Sequence, residues 1–452
     1  MEKIKPRTLS GFMELLPKQQ VYFDSIVKRL RESFSLFGYT CLDTPLMEAA
    51  EILLAKGGGE TEKQMYMLRK GDSDLALRYD LTTSLAKYVA LYYSSLTFPF
   101  RRYEIGKVYR GERAQRGRFR EFYQADIDII GDGTLDVLNE AEIPSVIYRS
   151  FKSLGLERFV IQINNRKILT GFFNIIGVGN NAMDVLRAVD KLSKIGEEKL
   201  SEILTNDLGL SKAQADEIIS FITYQGDPFE ILSKYKGKNE IFDRGAEELA
   251  AIKRHLAGFG VPDENFKIDL TIARGLDYYT GTVYETMMTD HPGIGSICSG
   301  GRYDNLAEYY TDRKLPGVGI SIGLTRLFYV LGEQGLLNDN VLTSPVDVLI
   351  IPMTDDISNS VVLATSMRES GLRVQIFAEK KKLGTKMSYA DKLGVPFVVF
   401  LGEDEINSGQ VTVKDMLTGS QTTASASIIT TEICEKIKGI RDKTPIQLNS
   451  LS

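Results

Sequence analysis

The chain has 452 residues, of which 43% are hydrophobic and 25% are charged, the composition of an ordinary soluble globular protein. One hydrophobic core does not serve a chain of this length, so two or three domains are expected. The formal net charge of −5 excludes a whole-chain attraction to nucleic acid or to an anionic membrane, although a local basic surface can still bind RNA.

The cysteine, histidine and hydropathy patterns exclude further classes of protein. Cys41, Cys298 and Cys434 lie far apart without CxxC spacing, which argues against a disulfide framework or zinc site and for a reducing compartment. The sequence contains only two histidines, which argues against a Ser–His–Asp triad and against a histidine-rich metal site. No apolar run reaches 18 residues and the N-terminus lacks a signal-peptide core, so we predict a cytoplasmic protein without a membrane segment.

The first clear periodicity is helical. After Pro17, large apolar residues recur at spacings of three and four as far as Phe37, which predicts an amphipathic helix ending near Gly38. The region from Pro99 to Ile130 is then typical of strand, loop and strand, and the loop presents five arginines and a glutamate: Arg110, Glu112, Arg113, Arg116, Arg118 and Arg120. The loop is either a solvated charged turn or a phosphate site, and planar guanidinium forks followed by the aromatic Phe122 favour the phosphate site.

The middle of the chain changes character twice. Residues from about 180 to 258 are rich in lysine, glutamate and helical patterns, which predicts a helical insertion in a strand-based core. Strand patterns resume at 266–285 and again at 317–322, where a helix follows. A polar, turn-forming stretch (338–345) then precedes short apolar strands that alternate with helices, which predicts a small α/β domain.

The segment 273–281, ARGLDYYTG, places an arginine, a carboxylate and two tyrosines around a glycine hinge, between strand-like residues at 268–272 and 282–285. A guanidinium fork suits a carboxylate or phosphate oxygen, and a tyrosine hydroxyl suits a polar ring. The simpler alternative is an edge strand with a structural Arg–Asp pair. A structural Arg–Asp pair is also the better interpretation of residues 77–82 taken on their own, where Arg78 and Asp80 lie two apart.

Two glycine-rich segments do not match nucleotide-binding fingerprints. Residues 317–323 have the spacing GxGxxxG and no acidic residue about 20 positions on, so they are not a dinucleotide site, and 294–304 lack the GK[ST] of a P-loop. Arg326 would lie in the first turn of a helix, where a cation gains nothing from the helix dipole. An anionic ligand explains its position more simply.

Several of these segments together resemble the histidyl-tRNA synthetases. The segments YRGE (109–112) and REFYQ (120–124) resemble motif 2 of class II aminoacyl-tRNA synthetases, and GVGISIGLTR (317–326) resembles motif 3. These motifs specify the class, whereas RGLDYYTG with GGRYD (300–304) narrows the resemblance to the histidyl enzymes. It covers nearly the whole chain, including YADKLGVPFVVFLGEDE near the C-terminus.

The resemblance implies an α+β catalytic domain with an antiparallel sheet, a helical insertion and a C-terminal α/β anticodon-binding domain. The implied bounds are 1–178 and 260–337 for the two parts of the catalytic domain, 179–259 for the insertion and 346–452 for the last domain. The implied activity is that of a histidine–tRNA ligase, which joins L-histidine and ATP into histidyl-adenylate and pyrophosphate. It then transfers histidine to the 3′ terminal adenosine of tRNA(His), and a homodimer and Mg²⁺ are implied as well.

The resemblance also implies roles for individual residues. The catalytic residues would be Arg110, Arg274 and Arg326. ATP would be bound through its α-phosphate, adenine amino group and adenine ring by Arg110, Glu112 and Phe122, with Arg326 facing it as well. Histidine would be bound by Asp80, Thr82, Gln124, Asp128, Arg274, Tyr278 and Tyr279. Asp128 would accept a hydrogen bond from one nitrogen of the imidazole, and Tyr279 would meet the other. The chain carries Ala114, Asp80 and Asp128 where proline, glutamate and glutamate are common in the family.

Two other functions share the same fold. The first is a regulatory subunit of histidine biosynthesis that binds histidine without catalysis; such subunits usually lack the C-terminal domain and degrade RGLDYYTG, and both are intact here. The second is a tRNA-binding sensor without ligase activity, which would be expected to lose the arginines of motif 2 or motif 3.

Overall fold

A computed structural model describes residues 3–55, 60–113, 117–272, 279–338, 341–441 and 443–446. The chain forms two compact units, one of Met1–Glu14 with Arg29–Gly335 and one of Leu15–Lys28 with Leu336–Ser452. Among the helices of these described ranges, none is long and apolar enough to cross a membrane.

The described strands and α-helices follow the chain in this order. The strands are β1 (Thr40–Cys41), β2 (Met47–Ala49), β3 (Met67–Lys70), β4 (Ser73–Leu77), β5 (Phe100–Tyr109), β6 (Glu121–Ile130), β7 (Phe159–Asn165), β8 (Phe266–Ile268), β9 (Thr282–Met288), β10 (Cys298–Tyr303), β11 (Gly317–Ile322), β12 (Val348–Pro352), β13 (Val374–Ile376), β14 (Phe397–Leu401), β15 (Gln410–Asp415) and β16 (Gln421–Ser425). The helices are α1 (Pro17–Leu36), α2 (Ala50–Leu54), α3 (Glu60–Gln64), α4 (Thr82–Leu91), α5 (Val137–Leu154), α6 (Arg166–Ile175), α7 (Ala182–Val189), α8 (Leu192–Glu202), α9 (Lys212–Ile222), α10 (Pro228–Ser233), α11 (Glu240–Gly258), α12 (Leu324–Glu333), α13 (Ser358–Glu369), α14 (Leu383–Leu393), α15 (Glu403–Ser408) and α16 (Ala426–Arg441).

A largely antiparallel sheet forms the centre of the first unit. Its described strands run in the order β1-β5-β6-β11-β10-β9-β7-β8, and the pairs β1–β5 and β7–β8 at its two edges are parallel. The predicted antiparallel sheet and the predicted strand–loop–strand of β5 and β6 are therefore confirmed. The predicted strand at 268–272 is wrong, because β8 ends at Ile268 and the Asp269 carboxylate then accepts hydrogen bonds from the amide and hydroxyl of Thr271, which turns the chain.

The register of this sheet places polar and small residues in rows across one face. Asp126 of β6 lies opposite Ser321 of β11, which lies opposite Ser299 of β10. In the next row Asp128 lies opposite Gly319. A Cβ on Gly319 would come within 2.2 Å of Asp128 Oδ1, so only glycine leaves room for that carboxylate. The two rows form the floor of the cavity described below.

Helices α6 and α11 pack against each other through glycines. A Cβ on Gly171 of α6 would lie 2.4 Å from the backbone nitrogen of Phe242 in α11, and a Cβ on Gly245 of α11 would lie 2.8 Å from that of Ile168. The two helices therefore approach at backbone distance. The ring of Phe172 stacks on Phe221 of α9, with 4.0 Å between centroids. The predicted helices between 180 and 258 are confirmed, and the last of them is part of the first unit's core.

Helix α1 confirms the amphipathic helix predicted after Pro17, and it ends two residues before Gly38. Its first turns belong to the second unit, where the Tyr22 hydroxyl donates to the carbonyl oxygen of Asn338 at 3.0 Å. Its last turns belong to the first unit, where the buried Phe34 contacts Tyr103 with 5.6 Å between ring centroids.

A small antiparallel sheet, β2-β4-β3, also belongs to the first unit. Every residue of β3 is exposed, including Met67 and Leu68, which keep 50% and 40% of their accessible surface. Leu46 and Met47 of the neighbouring segment are also exposed. The strand thus presents apolar side chains that the first unit itself leaves uncovered.

The second unit is built on a mixed sheet whose described strands run in the order β13-β12-β14-β15-β16. The pairs β12–β13 and β12–β14 are parallel, and β14–β15 and β15–β16 are antiparallel. Alternate residues of β12 pack into cores on opposite faces, Val348 and Ile350 into one and Leu349 and Ile351 into the other. The predicted small α/β domain with a sheet is confirmed.

Candidate functional site

The face of the large sheet carries a cavity of about 480 Å³. Every predicted site residue that the structure describes lines it: Asp80, Thr82, Arg110, Glu112, Phe122, Gln124, Asp128, Tyr279 and Arg326. Arg274 and Tyr278, as well as the alternative Arg–Asp pair of RGLDYY, lie outside the described residues. Residues far apart in the sequence therefore meet in one pocket.

One end of the cavity combines cations with aromatic rings. The guanidinium carbon of Arg110 lies 4.4 Å from the ring centroid of Tyr79 and 5.2 Å from that of Phe122. Its Nε also donates to the Tyr79 carbonyl oxygen at 3.3 Å, so the guanidinium is held between two rings. Nearby, Arg118 Nε lies 2.9 Å from a Glu112 carboxylate oxygen. This end offers a fixed cation, a carboxylate and an aromatic face to a ligand.

Arg326 adds a second fixed cation at this end. It is the third residue of α12, whose start is anchored because the Tyr123 amide donates to Thr325 Oγ1 at 2.8 Å. Arg326 Nη2 donates to the carbonyl oxygen of Ile294 at 2.5 Å. Its pKa is lowered by burial and then by the charge of Arg118, so two guanidiniums repel each other here. An anion between them would relieve that repulsion.

The floor of the cavity is acidic. Gln124, Asp126 and Asp128 alternate along β6, so their side chains share one face. Asp128 Oδ1 accepts a hydrogen bond from the Tyr303 hydroxyl at 2.6 Å, and its Oδ2 lies 2.8 Å from Arg102 Nη2. Burial raises the pKa of Asp128 to about 6 against the opposing charge of Arg102. Asp128 is therefore a rigidly held acid whose neighbours include an arginine.

Asp126 is a site residue that the sequence interpretation missed. Its side chain is buried, and burial raises its pKa to about 8, partly opposed by the charge of Arg102. Within the described residues, neither Asp126 Oδ1 nor Gln124 Oε1 has a hydrogen-bond partner. The other end of the Gln124 amide is held, because its Nε2 donates to Ser321 Oγ at 2.6 Å. The signal that would have found Asp126 is the period of two that joins it to Gln124 and Asp128.

Asp80 and Thr82 border the same floor. Asp80 Oδ1 accepts from the Thr83 amide at 2.8 Å, which ties the carboxylate to the first turn of α4. The prediction of an Arg–Asp pair within residues 77–82 is wrong. Arg78 instead binds Glu104, with 2.6 Å between Nη1 and Oε1, because it extends across β5 into space that Gly106 leaves open.

Tyr279 reaches the cavity from the C-terminal end of the arginine–tyrosine segment. A Cβ on Gly301 would lie 2.9 Å from its ring, so the second glycine of GGRYD makes room for it. The next residue, Thr280, is fastened to the same strand, since its amide donates to the Arg302 carbonyl oxygen at 2.8 Å and its hydroxyl to Asp304 at 2.5 Å. Tyr303 lines the cavity as well, and the sequence interpretation quoted its motif without assigning it a role.

The large antiparallel sheet carries one pocket, which has cations and aromatic rings at one end and acidic groups at the other. The chain also has a separate α/β unit. This is the arrangement expected of a class II aminoacyl-tRNA synthetase. Comparisons with known proteins define the family. The family model for histidyl-tRNA synthetase matches residues 11–327, and the model for the anticodon binding domain matches residues 347–437.

Proteins named histidine–tRNA ligase are similar to nearly the whole chain. The one from Clostridium tetani is 53% identical over 93% of this chain and 96% of its own length, and the one from Finegoldia magna is 44% identical over 96% and 100%. The crystal structure of histidyl-tRNA synthetase from Nostoc sp. PCC 7120 has a TM-score of 0.89 and 38% identity, and it covers 96% of this chain and 100% of its own. The chain therefore belongs to the histidyl-tRNA synthetase family, which confirms the resemblance.

Proposed function

We propose that the chain activates L-histidine with ATP, forming histidyl-adenylate and pyrophosphate, and then transfers histidine to the 3′ terminal adenosine of tRNA(His). The observation that carries the proposal is the single pocket in which a guanidinium and aromatic end adjoins an acidic floor. Family membership supports the same reaction. Such a pocket brings the triphosphate and the amino acid together, and orientation of the two reactants supplies much of the rate.

ATP binds at the guanidinium end. Arg110 binds the α-phosphate, Phe122 stacks on the adenine and Glu112 accepts from its amino group. Arg326, which Arg118 repels, takes an anionic phosphate oxygen. Each of these arginines neutralises charge that develops during attack on the α-phosphate, and both are already held by hydrogen bonds to carbonyl oxygens, so little reorganisation is needed.

Histidine binds over the acidic floor. Asp80 and Thr82 face its α-amino group, and Asp128 and Tyr279 meet the two ring nitrogens. The support is that Asp128 is fixed by Tyr303 and Arg102, while each of its oxygens keeps a second lone pair. A polar site built for a ring N–H leaves its groups unmatched when the wrong amino acid binds, and such mismatches discriminate by about 10⁴ or more.

Arg274 and Tyr278 complete the amino-acid site in this proposal, on the resemblance alone. Arg274 faces the carboxylate of histidine and the α-phosphate. The attacking carboxylate is already ionised, so the first step needs no protein base. The chain's contribution is then orientation and charge neutralisation by Arg110, Arg274 and Arg326.

Mg²⁺ accompanies ATP in this proposal. No cluster of three acidic, histidine or cysteine side chains suited to a metal occurs among the residues that the structure describes, but Mg²⁺ usually needs only one or two carboxylates besides phosphate oxygens. Glu285 lines the cavity and would hold such an ion. When bound, the ion would neutralise phosphate charge.

The second unit binds the anticodon of the tRNA, as its match to the anticodon binding domain supports. The protein acts as a homodimer, and the exposed apolar side chains of β3 support an interface there. We place it in the cytoplasm because all three cysteines are free thiols, which suits a reducing compartment.

The test is histidine-dependent exchange of pyrophosphate into ATP, followed by charging of tRNA(His). The proposed enzyme performs both. A histidine-binding regulatory subunit would perform neither, and a tRNA-binding sensor would bind tRNA without exchange. Absence of exchange in folded, ATP-saturated protein would contradict the proposal.

A further inference from the structure

The pocket floor contains acceptors without donors. Asp126 Oδ1 and Gln124 Oε1 are buried atoms with no hydrogen-bond partner in the described residues. Both side chains project from the same face of β6, two residues apart, and the Asp80 carboxylate is close enough to raise the pKa of Asp126. A buried oxygen that lacks a partner is costly, so their combination indicates a ligand that supplies the missing donors.

The amide of Gln124 has a fixed orientation that strengthens this interpretation. Its Nε2 donates to Ser321 Oγ at 2.6 Å, and Ser321 in turn hydrogen-bonds the Asp126 carboxylate. The chain of hydrogen bonds from Gln124 through Ser321 to Asp126 directs the nitrogen of Gln124 away from the open space and leaves its oxygen there. Reversal of the amide would turn Oε1 toward Ser321, whose single hydroxyl hydrogen already bonds the Asp126 carboxylate, so the contact between Gln124 and Ser321 would be lost.

Three acceptors around one space match one chemical group. A primary ammonium has three N–H donors and no acceptor, whereas a neutral imidazole has one donor and one acceptor. The floor also has more acidic groups than cations, because Asp80, Glu104, Asp126 and Asp128 lie around the two buried cations Arg78 and Arg102. A cationic ligand group would restore the balance.

We propose that Asp126 is a further substrate-binding residue, whose carboxylate binds the α-ammonium group of the substrate together with Gln124 Oε1 and Asp80. The proposal rests on the proposed function and deepens it. Along β6, Asp126 lies two residues closer than Asp128 to Phe122, the residue proposed to stack on the adenine. Asp126 is therefore nearer to the end of the strand where ATP binds. A histidine whose carboxylate faces ATP therefore presents its backbone nitrogen near Asp126 and its ring near Asp128.

The test compares two inhibitors that differ only in the ammonium group. L-histidinol carries the ring and the ammonium, and 3-(imidazol-4-yl)propan-1-ol carries the ring alone; neither has a carboxylate to activate. Each is titrated against histidine in pyrophosphate exchange with the full-length protein. In Asp126→Asn we expect histidinol to bind about 10- to 100-fold more weakly, the range for loss of a hydrogen bond to a charged group. The deaminated inhibitor should keep its wild-type inhibition constant.

The asparagine variant suits this test for a structural reason. Ser321 donates to the group at position 126, so the amide oxygen of asparagine would face Ser321 and its NH₂ would face the ammonium, where two donors repel. Asp126→Ala removes both atoms and covers the case in which the amide turns over. Melting temperatures show whether either variant folds, and an isosteric change at an oxygen without a partner should not lower them.

Asp128→Asn is the matched control on the same strand. As a ring contact, it should weaken both inhibitors by similar factors. If Asp126→Asn also weakens both equally, Asp126 contacts the ring and the proposal is wrong; if it weakens neither, Asp126 contacts no part of the substrate. Failure of the proposed function would look different, because the wild-type protein would then show no histidine-dependent exchange at all.

Discussion

Asp128 combines a structural and a substrate-binding role, and the two can be separated by measurement. Its oxygens bind Tyr303 and Arg102. Asp128→Asn therefore removes the negative charge that pairs with the buried Arg102 guanidinium, and it should destabilise the fold by up to about 3–5 kcal/mol. If the carboxylate also meets the imidazole, KM for histidine should rise far more than KM for ATP. A lower melting temperature with an unchanged KM for histidine would leave Asp128 with the structural role alone.

The pH dependence of stability should carry the signature of Asp126. Burial raises its pKa from 3.8 to about 8 in the folded protein. Its protonated form therefore stabilises the fold fully below the unfolded pKa, and this contribution is lost as the pH rises through about 8. Without histidine, the melting temperature of Asp126→Asn relative to wild type should increase from about pH 5 to about pH 9. A difference that does not change with pH would show that the carboxylate is ionised throughout.

At the scale of single residues, the motifs located the pocket but not the partnerships within it. Gln124 and Asp128 could be taken from the family resemblance, whereas Asp126 was overlooked because no motif singles it out. The sequence interpretation paired Arg78 with Asp80, its neighbour in sequence, whereas its partner is Glu104 on strand β5. Cross-strand partners depend on register, which one sequence does not supply.

At the scale of elements, the crossing of α6 and α11 depends on glycine. Gly171→Ala would place a methyl group 2.4 Å from the backbone nitrogen of Phe242, and backbone cannot move aside cheaply. We expect a destabilisation of about 1–3 kcal/mol by thermal or urea unfolding. Gly258→Ala in the last turn of α11 is the control: its Cβ meets nothing within 4 Å, so stability should stay equal or rise. Equal effects of the two changes would mean that the helices are not in such close contact.

Strong periodicity predicted elements well, and short or polar elements poorly. Helix α1 and the β5–β6 pair follow directly from the spacing of apolar residues. The strand expected over 268–272 ends early because the Asp269 side chain competes for backbone hydrogen bonds. Strand β16 was not predicted, because QTTAS is polar and largely exposed, and its pairing with β15 gives it its structure.

At the scale of the whole molecule, the exposed strand β3 predicts where two copies would meet in the proposed homodimer. Leu68→Asp should shift the protein from dimer to monomer in light scattering or analytical ultracentrifugation, since a charge would have to be buried in an apolar interface. Ile241→Asp is the matched control, because Ile241 is similarly exposed at 44% and lies on helix α11 instead of β3. A dimer that survives Leu68→Asp would place the interface elsewhere.

The two units should also separate the two half-reactions. A chain ending at Ser344 lacks β12 to β16 and should retain histidine-dependent pyrophosphate exchange while it charges tRNA poorly. The solution mass must be measured alongside, so that loss of the dimer is not taken for loss of anticodon binding. Full charging by the shortened, soluble protein would contradict the anticodon-binding role. The predicted domain bounds stay predictions until such chains are made.

Helix α1 has a consequence for the order in which the protein is made. Tyr22 and its partner Asn338 are 316 residues apart, and the first turns of the helix cluster with residues 336–452. At ribosomal speeds of about 5–20 residues per second, these turns wait roughly 15–60 s for their partners to be synthesised. During that time the first turns of the helix lack the residues of the second unit with which they cluster in the finished protein. This segment is thus the natural place for a chaperone to bind, and it should become resistant to protease during translation only after residues 336–452 have been made.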